Sequence, residues 1–309
     1  SESEKGAEKI GTTRRGIGPC YTDKMARSGI RVADLFHPEH FKQRLKNIVE
    51  EKNKIFVRLF NADELSWKDI YDEYCGYAEQ IKPYVCNTVV FMDEAIKGKK
   101  KILFEGAQGS MLDVDFGTYP YITSSSVTAG GATIGAGVSP KHIHKVLGIM
   151  KSYTTRVGSG PFPTELNDEL GEFLRKKGGE YGATTGRPRR CGWFDAIAVK
   201  HAIMINGVDG AVLTKLDVLD EQKTIKICMG YKFGDKVCDV FPMDLAARPG
   251  CQPVYKEVPG WQKDTSRIRN VKDIPLHARN YIDTLEKILG VKVEMLSVGP
   301  DRGQVVSLV

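Results

Sequence analysis

The sequence contains no closely spaced cysteine pair and no long apolar run. Because none of its seven cysteines falls in a C-x-x-C pattern, neither a zinc ribbon nor a disulfide framework is indicated, and reduced thiols are expected. No apolar stretch approaches the length that spans a bilayer. We therefore expect a cytoplasmic protein that crosses no membrane. The cysteines are Cys20, Cys75, Cys86, Cys191, Cys228, Cys238 and Cys251.

Dense blocks of basic charge are also missing. The net charge of +6 over 309 residues is a mild excess that suits small anionic substrates. Lys97–Lys101 is the one lysine run, and it is typical of a solvated turn. An RNA-binding protein built on this run and on Arg187–Arg190 would also need interleaved exposed aromatics, which the sequence does not offer. We expect neither nucleic acid nor a membrane as partner.

The phosphate-binding pattern G-x-x-x-x-G-K-S/T is absent. Gly11 and Gly16 have the glycine spacing, but Ile17 stands where the pattern needs lysine. Either phosphates are held differently, or a phosphate loop lies upstream. The six histidines show no metal-ligand spacing, so no metal site is predicted in this sequence.

The length and the 41% hydrophobic content allow one large domain around a substantial core. We expect a single domain over residues 1–309, with a mostly helical subregion at 35–100 and an α/β region that binds nucleotide and substrates at 101–309. The chain begins without methionine and enters motif-like sequence at Gly11. We expect an excerpt of a longer protein.

Hydrophobic periodicity predicts alternating helices and strands. Helices are predicted from Pro38 to Leu59, from Ser66 through a kink at Pro83 to Gly98, from Phe194 to Asn206, and from Pro275 to Leu289. Strands are predicted at 101–104, 146–153, 211–216, 224–230, 291–297 and 304–309. The order predicts an α/β fold with a mainly parallel central sheet flanked by helices.

Three polar motifs each follow a predicted strand: Glu105–Gly109, Thr214–Asp217 and Gly299–Arg302. Ligands of such sheets bind outside the carboxyl ends of the strands, where these loops would meet on one rim. Thr214–Asp217 resembles the base-reading element of GTP-binding proteins, in which an aspartate accepts from two donors of guanine. An ordinary salt-bridged pair at a strand end is the alternative interpretation.

A fourth loop, Gly182–Arg190, combines two threonines with three arginines. Its glycines permit close approach of the backbone, and the planar guanidiniums suit carboxylate or phosphate. A solvated basic turn is the alternative. The other motifs favour an anion-binding loop.

The motifs together resemble the adenylosuccinate synthetase family in order and over essentially the whole chain. The family's N-terminal portion, with its glycine-rich phosphate loop, is missing from this sequence. The resemblance implies the adenylosuccinate synthetase fold, which is related to P-loop nucleotide-binding proteins. The segments that carry it are Gly16–Arg27, Phe104–Gly109, Gly117–Ser125, Thr155–Glu165, Gly182–Trp193, Leu213–Asp217 and Gly299–Arg302.

The resemblance implies a GTP-dependent ligase of purine biosynthesis. GTP would phosphorylate the 6-oxygen of IMP, and L-aspartate would displace that phosphate to give adenylosuccinate, the first committed step from IMP to AMP. Lys24 and Gln108 would be catalytic. A solvated helix lysine and a glutamine that satisfies a turn are the alternatives. The family's general base, general acid and Mg²⁺ ligands are expected in the missing N-terminal portion, so the excerpt alone is expected to be inactive.

The resemblance also implies binding residues and a homodimer in which Arg27 reaches the partner's site. A regulatory GTP-binding switch is a rival, but it would not need the arginine loop. IMP would be bound by Thr13, Arg27, Gln108, Thr123 and Arg187. L-Aspartate would be bound by Ala183, Thr184, Thr185, Gly186, Arg187, Pro188 and Arg189. GTP would be bound by Arg189, Lys215, Leu216, Asp217, Ser297, Val298 and Gly299.

Overall fold

The computed structural model describes residues 11–182, 186–248 and 250–309. The described chain divides into two compact units. One is helical and covers residues 14–101, and the other contains residues 11–13 and 102–309. No helix of the described ranges is both long enough and apolar enough to cross a membrane.

Four α-helices form the helical unit: α1 (Ile17–Met25), α2 (Pro38–Phe60), α3 (Trp67–Ile81) and α4 (Thr88–Lys97). Its core is the apolar stripe of α2, where Phe41, Leu45 and Val49 are buried against Trp67 and Ile70. The helical period predicted for α2 is confirmed. The side-chain oxygen of Ser66 caps α3 by accepting from the backbone N–H of Asp69 at 3.2 Å, as its sequence predicts.

The helix predicted to run through a kink at Pro83 is in fact two helices. A short 3₁₀ turn, Lys82–Tyr84, follows α3, and Asn87 starts α4 by accepting from the N–H of Val90 at 3.4 Å. Proline lacks the N–H that a continuous helix requires, so the chain restarts at a new cap.

The second unit contains all the described strands. In chain order, its elements are α5 (Ala129–Ala136), β1 (Leu147–Lys151), β2 (Thr154–Arg156), α6 (Glu169–Lys177), β3 (Arg190–Gly192), β4 (Phe194–Asp195), α7 (Ala196–Asn206), β5 (Gly210–Thr214), β6 (Thr224–Phe233), β7 (Lys236–Cys238), β8 (Gln252–Pro259), α8 (Leu276–Leu289), β9 (Val293–Ser297) and β10 (Val305–Ser307).

The central sheet has the strand order β1-β5-β9-β10. The β1–β5 and β5–β9 pairs are parallel, and β10 joins β9 antiparallel, so the predicted mainly parallel sheet is confirmed. Leu213 and Leu296 on the strands and Ile282 and Leu285 on α8 are fully buried in one core. The left-handed Gly290 ends α8, where sequence placed its end.

A second sheet is built on the long strand β6, which pairs parallel with β4 and antiparallel with β7 and β8. Only β6 of this sheet was predicted. Phe194, predicted to open a helix, lies in β4 instead, and Asp195 caps α7 by accepting from Ile197 and Ala198 N–H at 3.1 Å. A short antiparallel pair, β2 with β3, leads into the arginine loop.

The strand predicted at 101–104 is wrong. Residues 101–107 have no regular structure, and Leu103 is 87% exposed. Apolar sequence alone does not make a strand, because the backbone groups must also pair with a neighbouring strand. The described part of the chain provides no such neighbour at this position.

Candidate functional site

The carboxyl ends of β1, β5 and β9 lie side by side at one edge of the central sheet. Lys151 pairs with Thr214, and Leu213 pairs with Leu296, so the residues that follow these strands share this edge. Of the three motifs expected on one rim, the structure places Thr214–Asp217 and Gly299–Arg302 there. Glu105–Gly109 follows no strand, and Gln108 is exposed.

The turn after β5 is fixed by its middle residue and by an unusual backbone conformation. Leu216 is fully buried in the core. Lys215 is left-handed, with φ 64°, and its Nζ donates to the carbonyl oxygen of Gly178 at 2.8 Å. Because a side chain disfavours this conformation, the turn is held by its surroundings.

Asp217 is the most informative residue of the site. Its Oδ1 is buried, and no atom of the described residues forms a hydrogen bond with it. Burial raises the pKa of Asp217 above the ordinary value of an aspartate. Buried polar atoms normally have partners, so this oxygen is suited to a ligand that donates hydrogen.

The turn after β9 presents backbone beside the turn after β5. Val298 is fully buried, and its N–H donates to the carbonyl oxygen of Gln304 at 3.0 Å. The hydroxyl of Ser297 donates to the carbonyl of Gly299 at 3.0 Å. A Cβ at Gly299 would lie 2.3 Å from the Gln304 amide, so this turn is closely packed.

A cavity of about 370 Å³ opens near the turn after β5. Asp220, which directly follows the 3₁₀ turn Leu216–Leu219 that contains Asp217, lines it. No local sequence pattern indicates this cavity, because its lining comes from distant segments. The lining residues are Lys177, Asp220, Glu221, Gln262, Lys263 and Asp264.

The arginine loop is closed at its base by backbone bonds. The N–H of Gly182 donates to the carbonyl of Arg187 at 2.8 Å, and Tyr181 bridges to Pro188. Gly186 is left-handed, with φ 63°, as the expected need for glycine implies. The expected aspartate-binding residues Ala183, Thr184 and Thr185 lie outside the described residues.

The three arginines of this loop have different partners. Nη1 of Arg187 donates to the carbonyl of Gly11 at 2.6 Å. Arg189 pairs with Glu180 at 2.6 Å, and Arg190 pairs with Glu165. Nη1 of Arg190 also donates to the carbonyls of Gly158 and Gly160, at 3.1 and 2.9 Å. Arg190 therefore holds the loop in place, and all three arginines are partly buried.

Sequence reasoning missed Glu180. It is fully buried, and its carboxylate joins Arg189 to Lys151 and Tyr153 at the end of β1. The local sequence Gly-Gly-Glu-Tyr is typical of an exposed turn, and the partners Tyr153 and Lys151 lie 27 and 29 residues away. No local signal could have found them.

The loop that contains Thr123 is organised by a buried carboxylate. Asp113 accepts from the backbone N–H groups of Asp115, Phe116, Val127 and Thr128, at 2.7 to 3.3 Å. Asp113 is thus a loop residue that accepts backbone hydrogen bonds. Although burial opposes ionisation, these bonds hold its pKa below the ordinary value.

Thr123 is half-buried within that loop. Its hydroxyl lies 2.9 Å from that of Ser125 and donates to the carbonyl of Leu112 at 3.1 Å. Thr13 is exposed, and Arg14 next to it is left-handed, with φ 55°.

Lys24 and Arg27 are three residues apart, a spacing that would place them on one face of a continuous helix, but the helix ends between them. Lys24 lies in α1, with its Nζ 5.6 Å from the ring centre of Tyr21. Arg27 follows the end of α1 with φ 63°, which turns the chain out of the helix. Its carbonyl accepts from Arg44 at 3.3 Å, while its side chain is exposed.

Comparison with known proteins agrees with this arrangement. The family model described as adenylosuccinate synthetase matches residues 1–306. Adenylosuccinate synthetases of Heliobacterium modesticaldum and Carboxydothermus hydrogenoformans are each 52% identical over 307 residues, covering 99% of this chain and 72% of theirs. The chain thus spans about seven tenths of their length.

Solved structures lead to the same family. The fully ligated adenylosuccinate synthetase of Plasmodium falciparum superimposes with a TM-score of 0.93 at 38% identity, over 99% of this chain and 73% of that one. This similarity supports both the fold and the order of the motifs. The chain therefore belongs to the adenylosuccinate synthetase family, whose members join IMP and aspartate at the expense of GTP in AMP synthesis.

Proposed function

We propose that this chain ligates IMP and L-aspartate with GTP, and that the guanine base is read at the carboxyl edge of the central sheet. The observation that carries the proposal is the buried Oδ1 of Asp217, which has no partner among the described residues. Guanine offers two adjacent donors, N1–H and the exocyclic amine, that would satisfy an ionised carboxylate. Adenine lacks this pair and would leave the carboxylate unpaired, at a cost of about 1–3 kcal/mol or more.

The neighbouring groups support a bound nucleotide. The methylene stem of Lys215 would cover the base, and Leu216 anchors the turn in the core. Ser297, Val298 and Gly299 would add backbone contacts from the next strand. Each of these residues lies at the shared edge of β5 and β9.

The arginine loop would hold the anionic groups of the substrates. Arg189 would face the GTP phosphates, and Arg187 would contact IMP and L-aspartate. For L-aspartate we propose Ala183–Gly186 and Pro188 as further contacts, from the family pattern in the sequence. Guanidiniums bind carboxylate and phosphate through two parallel hydrogen bonds, which fixes orientation as well as affinity.

The IMP site is proposed from Thr13, Arg27, Thr123, Gln108 and Arg187. Lys24 and Gln108 are proposed as catalytic, with Gln108 near the purine 6-position. The 6-oxygen of IMP is a poor leaving group until GTP phosphorylates it, and the amine of aspartate then displaces phosphate from the 6-phosphoryl intermediate. Fixed cations stabilise the charge on the transferring group.

Magnesium accompanies GTP in this family. No group of three or more His, Cys, Asp or Glu side chains that would hold an ion occurs in residues 11–182, 186–248 and 250–309. The steps proposed for the described residues are binding and orientation, and Mg²⁺ would neutralise charge on the phosphates of GTP when bound.

We further propose a homodimer in which Arg27 enters the partner's IMP site. The carbonyl of Arg27 is held by Arg44 while the side chain is exposed, which is compatible with a contact across an interface. Replacing Arg27 by leucine should weaken IMP binding in mutant homodimers. Mixing this variant with another active-site variant should restore activity through hybrid dimers, and no restoration would contradict a shared site.

The compartment that we propose is the cytoplasm. All seven cysteines are free thiols in the structure, as reduced surroundings would keep them.

The experiment that tests the function is phosphate release by the full-length polypeptide with each substrate omitted in turn. Turnover should require GTP, IMP and L-aspartate together, and ATP should not replace GTP. Turnover of GTP without IMP and aspartate would instead indicate a regulatory GTP-binding switch.

A further inference from the structure

Glu180 lies where three segments of the site meet. Both of its carboxylate oxygens accept from Nζ of Lys151, at 2.9 and 2.8 Å. The hydroxyl of Tyr153 donates to Oε1 and Nη1 of Arg189 donates to Oε2, each at 2.6 Å. The side chain of Glu180 has no exposed surface, whereas 26% of Lys151 and 28% of Arg189 is exposed.

These charges do not balance within the cluster. One carboxylate faces two cations, so a net positive charge remains beside the exposed guanidinium of Arg189. Although burial opposes ionisation, the hydrogen bonds from Lys151, Tyr153 and Arg189 hold the pKa of Glu180 below its ordinary value. The carboxylate therefore stays charged, and an anion would complete the cluster.

The backbone around Glu180 also connects the arginine loop to the turn after β5. The N–H of Arg189 donates to the carbonyl of Glu180 at 2.9 Å, and Nζ of Lys215 donates to the carbonyl of Gly178 at 2.8 Å. A Cβ at Gly178 would lie 2.1 Å from the hydroxyl oxygen of Tyr153, so this turn packs closely against the segment that follows β1. One short segment thus contacts both an arginine proposed for the phosphates and a lysine proposed for the base.

We propose that Glu180 is a positioning residue that orients Arg189 toward the phosphates of the nucleotide. Among the residues that the structure describes, only Nη1 of Arg189 donates to the carboxylate, and the other guanidinium donors could bind an anion. Lys151 is held by Glu180 and by the hydroxyl of Thr155 at 2.8 Å, so it also helps to fix the carboxylate. The inference rests on the proposed function, because it takes GTP as the anion.

The test is steady-state kinetics of the full-length polypeptide carrying Glu180→Gln, with each substrate varied in turn. KM for GTP should rise about tenfold to a hundredfold, as expected for loss of one charge-assisted hydrogen bond, while KM for IMP changes less than about twofold. Glu180→Asp, which keeps the charge on a shorter side chain, should fall between wild type and Glu180→Gln. The matched control is Glu294→Gln, which removes an ion pair with Lys145. That control should leave KM for GTP unchanged.

A double variant separates positioning from general loosening of the fold. If Glu180 acts through Arg189, then Glu180→Gln combined with Arg189→Ala should raise KM for GTP no further than Arg189→Ala alone. Additive effects, or equal increases in KM for all three substrates, would overturn the proposal. If Glu180→Gln does not fold, the same comparisons with Glu180→Asp decide whether Glu180 acts through Arg189.

Binding of GDP by calorimetry distinguishes this inference from the proposed reaction. If the wild-type polypeptide binds GDP but does not turn over, the reaction is wrong, and Kd for GDP in the same variants decides the role of Glu180. If wild type does not bind GDP, both proposals fail.

Discussion

The two ends of the central sheet use polar side chains in opposite ways. At the amino ends, Nζ of Lys145 meets the carboxylate of Glu294 at 2.6 Å, and Asp209 accepts from the N–H of Val146 at 2.7 Å. At the carboxyl ends, the buried Oδ1 of Asp217 has no partner among the described residues. Lys215 there is left-handed, and cations outnumber carboxylates around Glu180.

The difference shows how one set of strands supports both stability and binding. Polar groups that the fold satisfies contribute to the folded state itself, whereas a buried group left without a partner lowers stability until a ligand arrives. The amino edge is of the first kind, and the carboxyl edge is of the second. We therefore expect ligands to bind at the carboxyl edge.

The largest expected effect is at Asp217. Asp217→Ala should lower kcat/KM for GTP about a thousandfold, because the base would lose an acceptor for two hydrogen bonds. Asp209→Ala, the matched change at the amino edge, should change kcat/KM less than about threefold while lowering the free energy of unfolding by about 1–2 kcal/mol. Kinetics and urea unfolding of both variants test the contrast. Similar losses of kcat/KM in the two variants would contradict the contrast between the two edges.

Asp195 offers a comparison with a buried carboxylate that the fold does satisfy. It accepts from two backbone N–H groups and from the hydroxyl of Tyr231 at 2.7 Å, yet burial raises its pKa to about 6. Because the carboxyl pKa is higher in the folded state than in the unfolded state, its contribution to stability is fully present below the unfolded pKa. That contribution is lost as the pH rises through the folded pKa. Asp195→Asn should remove this loss.

The free energy of unfolding measures this effect. Relative to Asp195→Asn, the wild-type protein should lose about 2 kcal/mol of unfolding free energy between pH 4 and pH 7.5. Comparing the two proteins at each pH cancels the titration of other groups. An equal difference between wild type and variant at both pH values would contradict burial as the cause of the raised pKa.

The smallest expected effect is at the amino edge itself. Glu294→Gln should lower the free energy of unfolding by less than about 1 kcal/mol, because Lys145 is 52% exposed and water competes for the pair. Thermal unfolding and GTP kinetics measure this. A rise in KM for GTP comparable to that of Glu180→Gln would remove the distinction between the two edges.

Much of the fold could be predicted where the local hydrophobic pattern of the sequence indicates a helix or a strand. The apolar stripe of α2 follows the helical period, and the apolar run of β5 is typical of a strand that is covered on both faces. The strand β8 could not be predicted as easily. It has proline near both ends and exposed residues along its length, and it depends on pairing with β6 over eight registered pairs.

The residues of the candidate site likewise divide into those that a local motif predicts and those that only the fold brings together. Asp217 and the arginine loop were predicted from short motifs, since their residue types carry the chemistry. The partners of Glu180 are brought together only by the fold, and the left-handed Arg27 breaks a helical spacing that the sequence favours. Local patterns predict which groups are present, but long-range pairing decides which of them meet.

The most direct test of the account is nucleotide choice by calorimetry in wild type and Asp217→Asn. The amide presents donors where the carboxylate only accepts. The variant should therefore lose affinity for GDP and gain affinity for xanthosine diphosphate, which carries an oxygen in place of the amine. Wild type should prefer GDP. If the two proteins show the same preference for GDP over xanthosine diphosphate, Asp217 does not read the base, and the assignment of the carboxyl edge is contradicted.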